Sequence, residues 1–274
     1  MKPPLTFAIR SEYVPEPPAR GNTGHKLRVL SFNIQTGINT ERYSQYLTKA
    51  WKHVLPHPRR FRNLDRIAGL LREYDLVGLQ EVDAGSLRSG FVNLTEYLAG
   101  RAGFPYWYDQ TNRKLGSVAK HAIGVLSRQQ CSEIIEHRLP GPIPGRGALS
   151  MRFGNQEASL LVMIIHLALG KRARLQQLDY IAEQVNQEKH VLVMGDMNFH
   201  SESEEMRFLI ERTLMKEPIH GLHTWPSWRP QRSIDHILVS PTVQVNHIRV
   251  LDFPVSDHLP ICMEITLPRE IDLS

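Results

Sequence analysis

Polar residues that can bind a cation or move a proton stand at the ends of apolar, strand-like runs in this sequence. They are Asn33, Glu81, His166, Asp196, Asn198, Asp235, Asp257 and His258. Oxygen atoms of Glu, Asp and Asn are the ligands that a hard cation such as Mg²⁺ or Mn²⁺ prefers. Histidines beside carboxylates carry protons and stabilise developing charge. Because α/β folds usually assemble their sites at strand ends, we expect these residues to converge.

Most of these residues also have a purely structural interpretation. Asn33 is a common type of strand-end turn residue, and a single strand-end carboxylate such as Glu81 is more often solvated than liganded. His166 follows a run of six apolar residues, as a satisfied core histidine would. Asp196 and Asn198 in GDMN are also compatible with an Asx turn. The occurrence of the whole set in this order favours a functional site over these separate explanations.

Two loops have the composition of substrate-binding segments. The stretch TWPSWRPQRS precedes Asp235 and supplies Trp225, Trp228, Arg229 and Arg232. Its indole rings and guanidinium groups suit base stacking or phosphate binding, and they suit a loop that simply packs on the domain equally well. Arg146 lies in the Gly/Pro-rich stretch LPGPIPGRGALS, where it either neutralises a phosphate or faces solvent.

The elements that must position these residues alternate between strand-like and helix-like patterns. Short runs rich in Val, Ile and Leu predict strands in LRVLSF, DLVGLQ, HAIGVLS, ASLLVMIIH, HVLVMG, IDHILVS and PICMEITL. Apolar residues at helical spacing predict helices in NLDRIAGLLREY and RARLQQLDYIAEQVNQ. The pattern indicates an α/β layered protein.

The chain reads as one catalytic unit with an extension at its start. Residues 1–25 are rich in proline and predict an extended arm, and residues 26–270 predict a single domain. Residues 38–63 predict a short helical excursion broken at Pro56 and Pro58. Its aromatic and basic side chains, among them Tyr43, Tyr46 and Trp51, fit a substrate lip or a packed surface flap.

Composition restricts the environment and the partners. The net charge of +5 and the pI near 9.3 favour anionic partners such as nucleic acid, lipid head groups or phosphorylated metabolites. No apolar run approaches the roughly 18 residues of a membrane-spanning helix. The first residues make a poor signal peptide. Cys131 and Cys262 have neither metal-ligand nor redox-motif spacing, so we expect free thiols and a cytoplasmic protein.

Taken in order, the motifs resemble the endonuclease/exonuclease/phosphatase superfamily, which has the deoxyribonuclease-I-like fold. The resemblance covers about residues 27–268 and rests on LSFNIQTG, LQEVD, IIHLALG, VMGDMNFH, SIDHILVS and SDHLPI. The stretch HLALG followed by RLQQLDYIAEQV looks like small bacterial members. The resemblance implies a four-layer α/β sandwich, with two mixed β-sheets packed face to face and helices on the outside.

The resemblance also implies roles for the residues that match its motifs. Asn33 and Glu81 would hold the principal cation, Mg²⁺ or Mn²⁺, with Asp257 near it. Asp196 and Asn198 would position the attacking water and the phosphate. His258 would pair with Asp235, while His166 would stabilise phosphoryl oxygens or assist the leaving group. The reaction would be in-line displacement at phosphorus by water.

Two differences from the family pattern bear on which branch of the superfamily the chain resembles and on how it would contact a substrate. Abasic-site endonucleases typically have Tyr where this chain has His166, which places it nearer the deoxyribonuclease, sphingomyelinase and phosphatase branches. Many relatives have Gly-Asn-Ala where this chain reads AIGVLSR, so an Asn contact to substrate is absent there.

The expected activity is therefore metal-dependent hydrolysis of a phosphoester, and the alternative is a non-catalytic binding module that retains the fold. Nucleic acid, a membrane lipid head group and a small phosphoester all remain open as substrates. One or two ions fit the sequence equally well, and no obligate protein partner is inferred.

Overall fold

The computed structural model describes residues 9–13, 24–37, 58–115, 119–141 and 146–273. The strands are β1 (Ile9–Tyr13), β2 (Lys26–Asn33), β3 (Leu76–Asp83), β4 (Tyr106–Leu115), β5 (Ala119–Ser127), β6 (Glu133–His137), β7 (Gly147–Gly154), β8 (Ser159–His166), β9 (His190–Asp196), β10 (Asp235–Val239), β11 (Gln244–Leu251) and β12 (Ile261–Thr266). The α-helices of the described part are α1 (Pro58–Leu71), α2 (Leu94–Ala102), α3 (Lys171–Val185) and α4 (Glu204–Arg212). The predicted strands are all present, and β1, β4, β6, β7 and β11 add to them.

The strands form two mixed sheets. The seven-stranded sheet has the order β1-β11-β12-β2-β3-β5-β4, and the five-stranded sheet has the order β10-β9-β8-β7-β6. Each sheet contains one parallel pair, β2 with β3 and β8 with β9, among otherwise antiparallel neighbours. In each parallel pair, the carboxyl ends lie at the same edge of the sheet. Asn33 and Glu81 stand at one such edge, and His166 and Asp196 stand at the other.

Three hydrophobic clusters lie between the four layers, which are the two sheets and the helices on the outer face of each sheet. The central cluster lies between the sheets and contains Val162 and Ile164 of β8. The next residues of the same strand, Met163 and Ile165, belong to a cluster beneath α3 and α4. A third cluster joins the outer face of the larger sheet to α1 and α2. Because side chains alternate between the two faces of a strand, a sheet buried on both faces needs continuous apolar runs. The predicted four-layer sandwich is confirmed.

Within the predicted N-terminal arm, residues 9–13 form strand β1, which pairs antiparallel with β11 at the edge of the larger sheet. Arg10 of this strand forms an ion pair with Asp252 at 3.1 Å and donates a hydrogen bond to the carbonyl oxygen of Ser227 at 3.3 Å. The arm residues that the structure describes are therefore attached to the sandwich.

The predicted excursion over residues 38–63 lies mostly outside the described residues, which resume at Pro58. Pro58 begins α1 and does not break a helix, because the first helical turn needs no backbone N–H donor from that residue. The predictions for Tyr43, Tyr46 and Trp51 also lie outside the described residues. Among the helices of the described part, none is both long and apolar enough to cross a membrane.

Candidate functional site

The alternation of side chains along the strands explains why the polar residues converge. Leu192 and Met194 of β9 face the other sheet within the central cluster, so Asp196, two residues further, points into the same layer. The same rule places His166 beyond Ile164 on β8. These polar residues therefore cap the inter-sheet core at one rim of the sandwich.

Glu81 breaks this rule, and its backbone shows how. Leu79 and Val82 of β3 both face α1 and α2, and the pairing of β3 with β5 shifts register between them. Two residues thus lie between positions of the same face, as in a β-bulge. Glu81 takes a left-handed conformation with φ of 55°, which is rare for residues other than glycine. Its carboxylate consequently reaches the inter-sheet rim, where Oε1 lies 3.9 Å from His166 Nε2.

His258 lies between two aspartates. Its Nδ1 is 2.9 Å from Asp235 Oδ2, and its Nε2 faces Asp196 Oδ2 at 3.9 Å. Burial alone would lower the pKa of His258, but the negative charges of Asp235, Asp257 and Asp196 raise it well above its usual value. The surrounding carboxylates therefore favour the protonated form of His258.

Asp196 of the five-stranded sheet is hydrogen-bonded to Asn33 of the seven-stranded sheet. Its Oδ2 accepts a hydrogen bond from Asn33 Nδ2 at 3.1 Å and lies 3.5 Å from His166 Nε2. Burial raises the pKa of this carboxyl, but the hydrogen bonds and charges of His166, His258 and Asn33 lower it overall. The pKa of Glu81 is also lowered, since the charges of His166 and His258 outweigh the opposing effect of burial. Both carboxylates are ionised at neutral pH.

Asn198 is held beside Asp196 by a tight turn. Its backbone N–H donates to Asp196 Oδ1 at 3.1 Å, which is the Asx-type contact that GDMN permits. Its Nδ2 donates to the carbonyl oxygen of Leu167 at 3.0 Å. The residue has a φ of 57°. Gly195 makes this arrangement possible, because a Cβ at its φ of 151° would collide with the carbonyl oxygen of Ile165.

Arg146 is brought to the site by the start of β7. Gly147 pairs with His166 in the sheet, so the preceding residue lies beside the end of β8. Nη1 of Arg146 lies 2.9 Å from His166 Nδ1 and also contacts His166 Nε2. A guanidinium group at this position can neutralise negative charge on a phosphate or on a leaving group.

Only part of the predicted segment TWPSWRPQRS (residues 224–233) contacts the site residues, and we call its residues 224–232 the Trp loop. Trp225 Nε1 donates to Asp257 Oδ2 at 3.4 Å, and the guanidinium carbon of Arg232 lies 5.2 Å from the centre of the Trp225 ring. Trp228 is half-buried, whereas the side chain of Arg229 is exposed. The structure thus brings Trp225 and Arg232 to the site.

Residues that the sequence prediction did not include complete the surroundings of these groups. Thr224 Oγ1 donates to Asp235 Oδ2 at 2.5 Å. Ser256 Oγ donates to the carbonyl oxygen of Asn33 at 2.7 Å and lies 3.2 Å from Asp257 Oδ1. Both hydroxyl residues are adjacent to motif residues, but a hydroxyl in sequence gives no signal of which carboxylate it will meet.

The donor atoms fit a divalent cation. Asp196, Asp235 and His258 place one potential ligand atom each within 4.8 Å of one another. Asp235 Oδ2 in that group is already engaged by Thr224 and His258, which favours proton handling there. The remaining oxygen donors are those of Asn33, Glu81 and Asp257, a set that suits a hard cation. Positive charge among ionised carboxylates would also offset their mutual repulsion.

The comparison with protein families agrees with this geometry. The family model described as Endonuclease/Exonuclease/phosphatase family matches residues 30–258. The chain therefore belongs to this family, whose members hydrolyse phosphoesters and typically use divalent metals. No curated protein sequence matches the chain.

Solved structures share the fold at low sequence identity. An endonuclease/exonuclease/phosphatase from Beutenbergia cavernae has a TM-score of 0.68 and 20% identity, with 89% of this chain and 72% of that chain covered. The mannosyl-6-phosphatase Bt3783 of Bacteroides thetaiotaomicron has a TM-score of 0.65 and 16% identity, covering 88% and 100%. The human Nocturnin catalytic domain with bound sulfate has a TM-score of 0.62 and 15% identity, covering 90% and 96%.

Proposed function

We propose that this protein is a divalent-metal-dependent phosphoester hydrolase that directs water to phosphorus in line with the leaving group. The observation that carries the proposal is the convergence of Glu81, His166, Asp196 and His258, whose side chains lie within 3.9 Å of their neighbours at one rim. These residues come from elements of both sheets. Such a meeting of ionised carboxylates and histidines is typical of an active site rather than of a packed core.

Glu81 and Asn33 would hold the cation, Mg²⁺ or Mn²⁺, with Asp257 beside them. A bound divalent cation polarises a phosphoryl oxygen and lowers the pKa of water. The lowered pKa of Glu81 supports this assignment, because the ligand must be ionised. Asn33 Nδ2 donates to Asp196, and its Oδ1 accepts from the backbone N–H of Gln35 at 3.1 Å, so the amide orientation is fixed.

The chain's own residues would bind the substrate and direct the proton transfers. Asp196 and Asn198 would orient the attacking water, since Asp196 ends β9 and Asn198 is held beside it by the hydrogen bond from its N–H to Asp196 Oδ1. His258 keeps a proton at Nε2 and can donate it to a phosphoryl oxygen, while Asp235 fixes the ring through Nδ1. His166 and Arg146, which lie side by side, would together bind the negatively charged phosphoryl oxygens of the substrate.

The mannosyl-6-phosphatase Bt3783, which shares the fold, is a phosphatase and so acts on a phosphate monoester. For this chain we propose an anionic phosphoester as the substrate, since Arg146 beside His166 and the exposed Arg232 beside Trp225 supply positive charge at the rim. Nucleic acids, phospholipids and small phosphoesters all contain an anionic phosphoester group. A panel that includes each class is therefore needed to distinguish them.

The test is a hydrolysis assay on the metal-stripped protein across DNA, RNA, phospholipid, sugar phosphates and aryl phosphodiesters, with Mg²⁺ or Mn²⁺ restored. We expect turnover of at least one class, lost with EDTA and recovered with metal. Glu81→Gln should lower turnover by about 10²-fold or more, because loss of a ligand should cost at least as much as loss of a partner that orients a ligand, which costs about 10–100-fold. Glu157→Gln, an exposed change in the β7–β8 turn at the opposite end of the sandwich, is the matched control and should retain activity.

Absence of hydrolysis in the whole panel would contradict the proposal. Mg²⁺ or phosphoester binding without turnover would then support a non-catalytic binding module.

A further inference from the structure

We infer that the Trp loop is a positioning segment that fixes Asp235, Asp257 and the peptide before His258, rather than a surface for stacking the substrate. This inference rests on the proposed function, because those residues belong to the proposed site. The loop makes side-chain contacts to both aspartates and backbone contacts to the segment that carries His258.

The first contact orients Asp235. Thr224 is fully buried, and its hydroxyl donates to the same oxygen, Oδ2, that faces His258 Nδ1. Asp235 Oδ1 is buried and has no hydrogen-bond partner among the described residues. Within the described residues, the hydrogen bonds that orient this carboxylate therefore come from the Thr224 hydroxyl and the His258 ring. Without the hydroxyl, rotation of the carboxylate would change the hydrogen bond that holds the ring.

The second contact reaches Asp257. Trp225 Nε1–H donates to Asp257 Oδ2 at 3.4 Å, while Ser256 Oγ lies 3.2 Å from the other carboxylate oxygen. The indole N–H is a donor with no acceptor capacity, so it orients a carboxylate without competing for a cation. Trp225 thus has a defined role that needs no substrate.

The backbone of the loop is attached to the same segment. Ser227 Oγ donates to the carbonyl oxygen of Ser256 at 2.6 Å, and the Ser227 N–H donates to the carbonyl oxygen of Asp257 at 2.7 Å. The N–H of Leu259 donates to the carbonyl oxygen of Thr224 at 2.8 Å. These bonds lie on both sides of His258 and attach the loop to the segment that carries it.

The environment of the Trp225 ring argues against base stacking. The guanidinium of Arg232 lies over the ring at 5.2 Å, and the two residues also pair through their backbones. One face of the indole is therefore covered by the protein's own cation, and the N–H points to Asp257. A stacked base would have to displace Arg232 or use the opposite face alone.

The experiment compares Thr224→Val with Thr224→Ser, using the small substrate bis(p-nitrophenyl) phosphate, whose aromatic rings would reveal any stacking on Trp225 as an effect on KM. Thr224→Val should lower kcat about tenfold or more while KM changes less than twofold, as loss of an orienting partner does. Thr224→Ser keeps the hydroxyl and should restore most of kcat. Trp225→Phe, which retains an aromatic face but loses the N–H, should also lower kcat rather than raise KM.

A proton NMR measurement tests the inference without turnover. The imidazole N–H resonance that His258→Gln abolishes should exchange with water faster in Thr224→Val than in the wild type or Thr224→Ser. If wild-type turnover is absent, the proposed function fails while this comparison still tests the positioning role. Unchanged exchange in Thr224→Val would overturn the inference. A rise in KM with unchanged kcat in Trp225→Phe, or a Ser variant no better than Val, would also overturn it.

Discussion

Two histidine–carboxylate pairs begin at neighbouring residues of β10 and point to opposite faces of the strand. Asp235 pairs with His258 on the inter-sheet face, where Oδ2 lies 2.9 Å from Nδ1. His236 pairs with Glu217 on the other face, where Nδ1 lies 2.6 Å from Oε1. Both rings are buried, and both have a raised pKa. Residue types and burial alone would therefore not tell a catalytic pair from a structural one.

The difference lies in the second ring nitrogen. His236 Nε2 donates to the carbonyl oxygen of Phe199 at 2.8 Å, and the ring stacks on Phe199 with centroids 5.4 Å apart. Glu217 also accepts from Ser201 Oγ at 3.0 Å. His258 Nε2 instead faces Asp196 at 3.9 Å, which is too long for a hydrogen bond. This second ring nitrogen, which has a hydrogen bond in His236 and only a 3.9 Å carboxylate neighbour in His258, distinguishes the proposed catalytic pair from the structural one.

Glutamine substitution at each histidine tests this comparison with the largest expected effect. His258→Gln should lower turnover by about 10³-fold, because a positioned proton donor typically contributes 10²–10⁴-fold. His236→Gln should leave turnover within about threefold at a temperature where it is folded, but should lower stability by about 3 kcal/mol, as removal of one partner of a buried ion pair does. Hydrolysis rates and denaturant unfolding curves of both variants provide the measurements.

Equal loss of activity in both variants, with both folded, would show that the two pairs act as one catalytic unit. Equal loss of stability with no change in turnover would show that His258 is structural too.

The pH dependence of stability should distinguish the structural pair by its window. Burial lowers the pKa of His236, but the hydrogen bond and charge of Glu217 raise it overall, so its contribution is lost as pH rises through the raised value. Burial raises the pKa of Glu217, but His236 lowers it overall, so its contribution is lost as pH falls through the lowered value. The pair should stabilise most between about pH 4.5 and 6.5, the usual pKa values of the two groups.

Glu217→Gln should therefore reduce the free energy of unfolding by about 3 kcal/mol within that window and less outside it. Denaturant unfolding at several pH values measures the difference from wild type. A difference that stays constant with pH would contradict the ion-pair account and indicate a packing effect.

A smaller effect is expected at Arg146, which contacts the other site histidine. Arg146→Gln removes the charge beside His166 and should raise KM by about tenfold for a charged substrate, or about 1.4 kcal/mol. Arg146→Lys keeps the charge without the planar fork and should recover part of the loss. Steady-state kinetics in both variants provide the measurement. An unchanged KM in both variants would place the Arg146 side chain outside the substrate site.

Much of the site could be predicted, because its residues lie at strand ends and side chains alternate between the two faces of a strand. Asp196 and His166 follow from apolar runs whose alternate residues face the other sheet. Glu81 is different, since its placement depends on a bulge and a φ of 55° that residue types do not specify. The contact of Thr224 with Asp235 depends on how a loop folds back, and no pattern of residue types predicts that pairing.

The strands of the fold likewise divide into those that apolar runs predict and those that they do not. Strands buried on both faces, such as β8, have apolar runs that sequence patterns detect. Strand β6 is exposed over four of its five residues, and β4 has the polar sequence YWYDQTNRKL, so neither gives an apolar run. Edge position does not account for this, since β10 also ends a sheet but is buried in all five residues and has an apolar run. The exposure of the side chains is what removes the apolar pattern from β6 and β4.

The most direct test of the central claim follows the oxygen that enters the product. Hydrolysis of an active phosphoester in ¹⁸O-labelled water with Mg²⁺ should place one labelled oxygen in the phosphate product and none in the released alcohol, because water attacks phosphorus. The rate at which labelled phosphate forms should fall in Glu81→Gln and in His258→Gln, because both variants have lower turnover. Label in the alcohol, or phosphate release without solvent oxygen, would contradict in-line attack by water at this site.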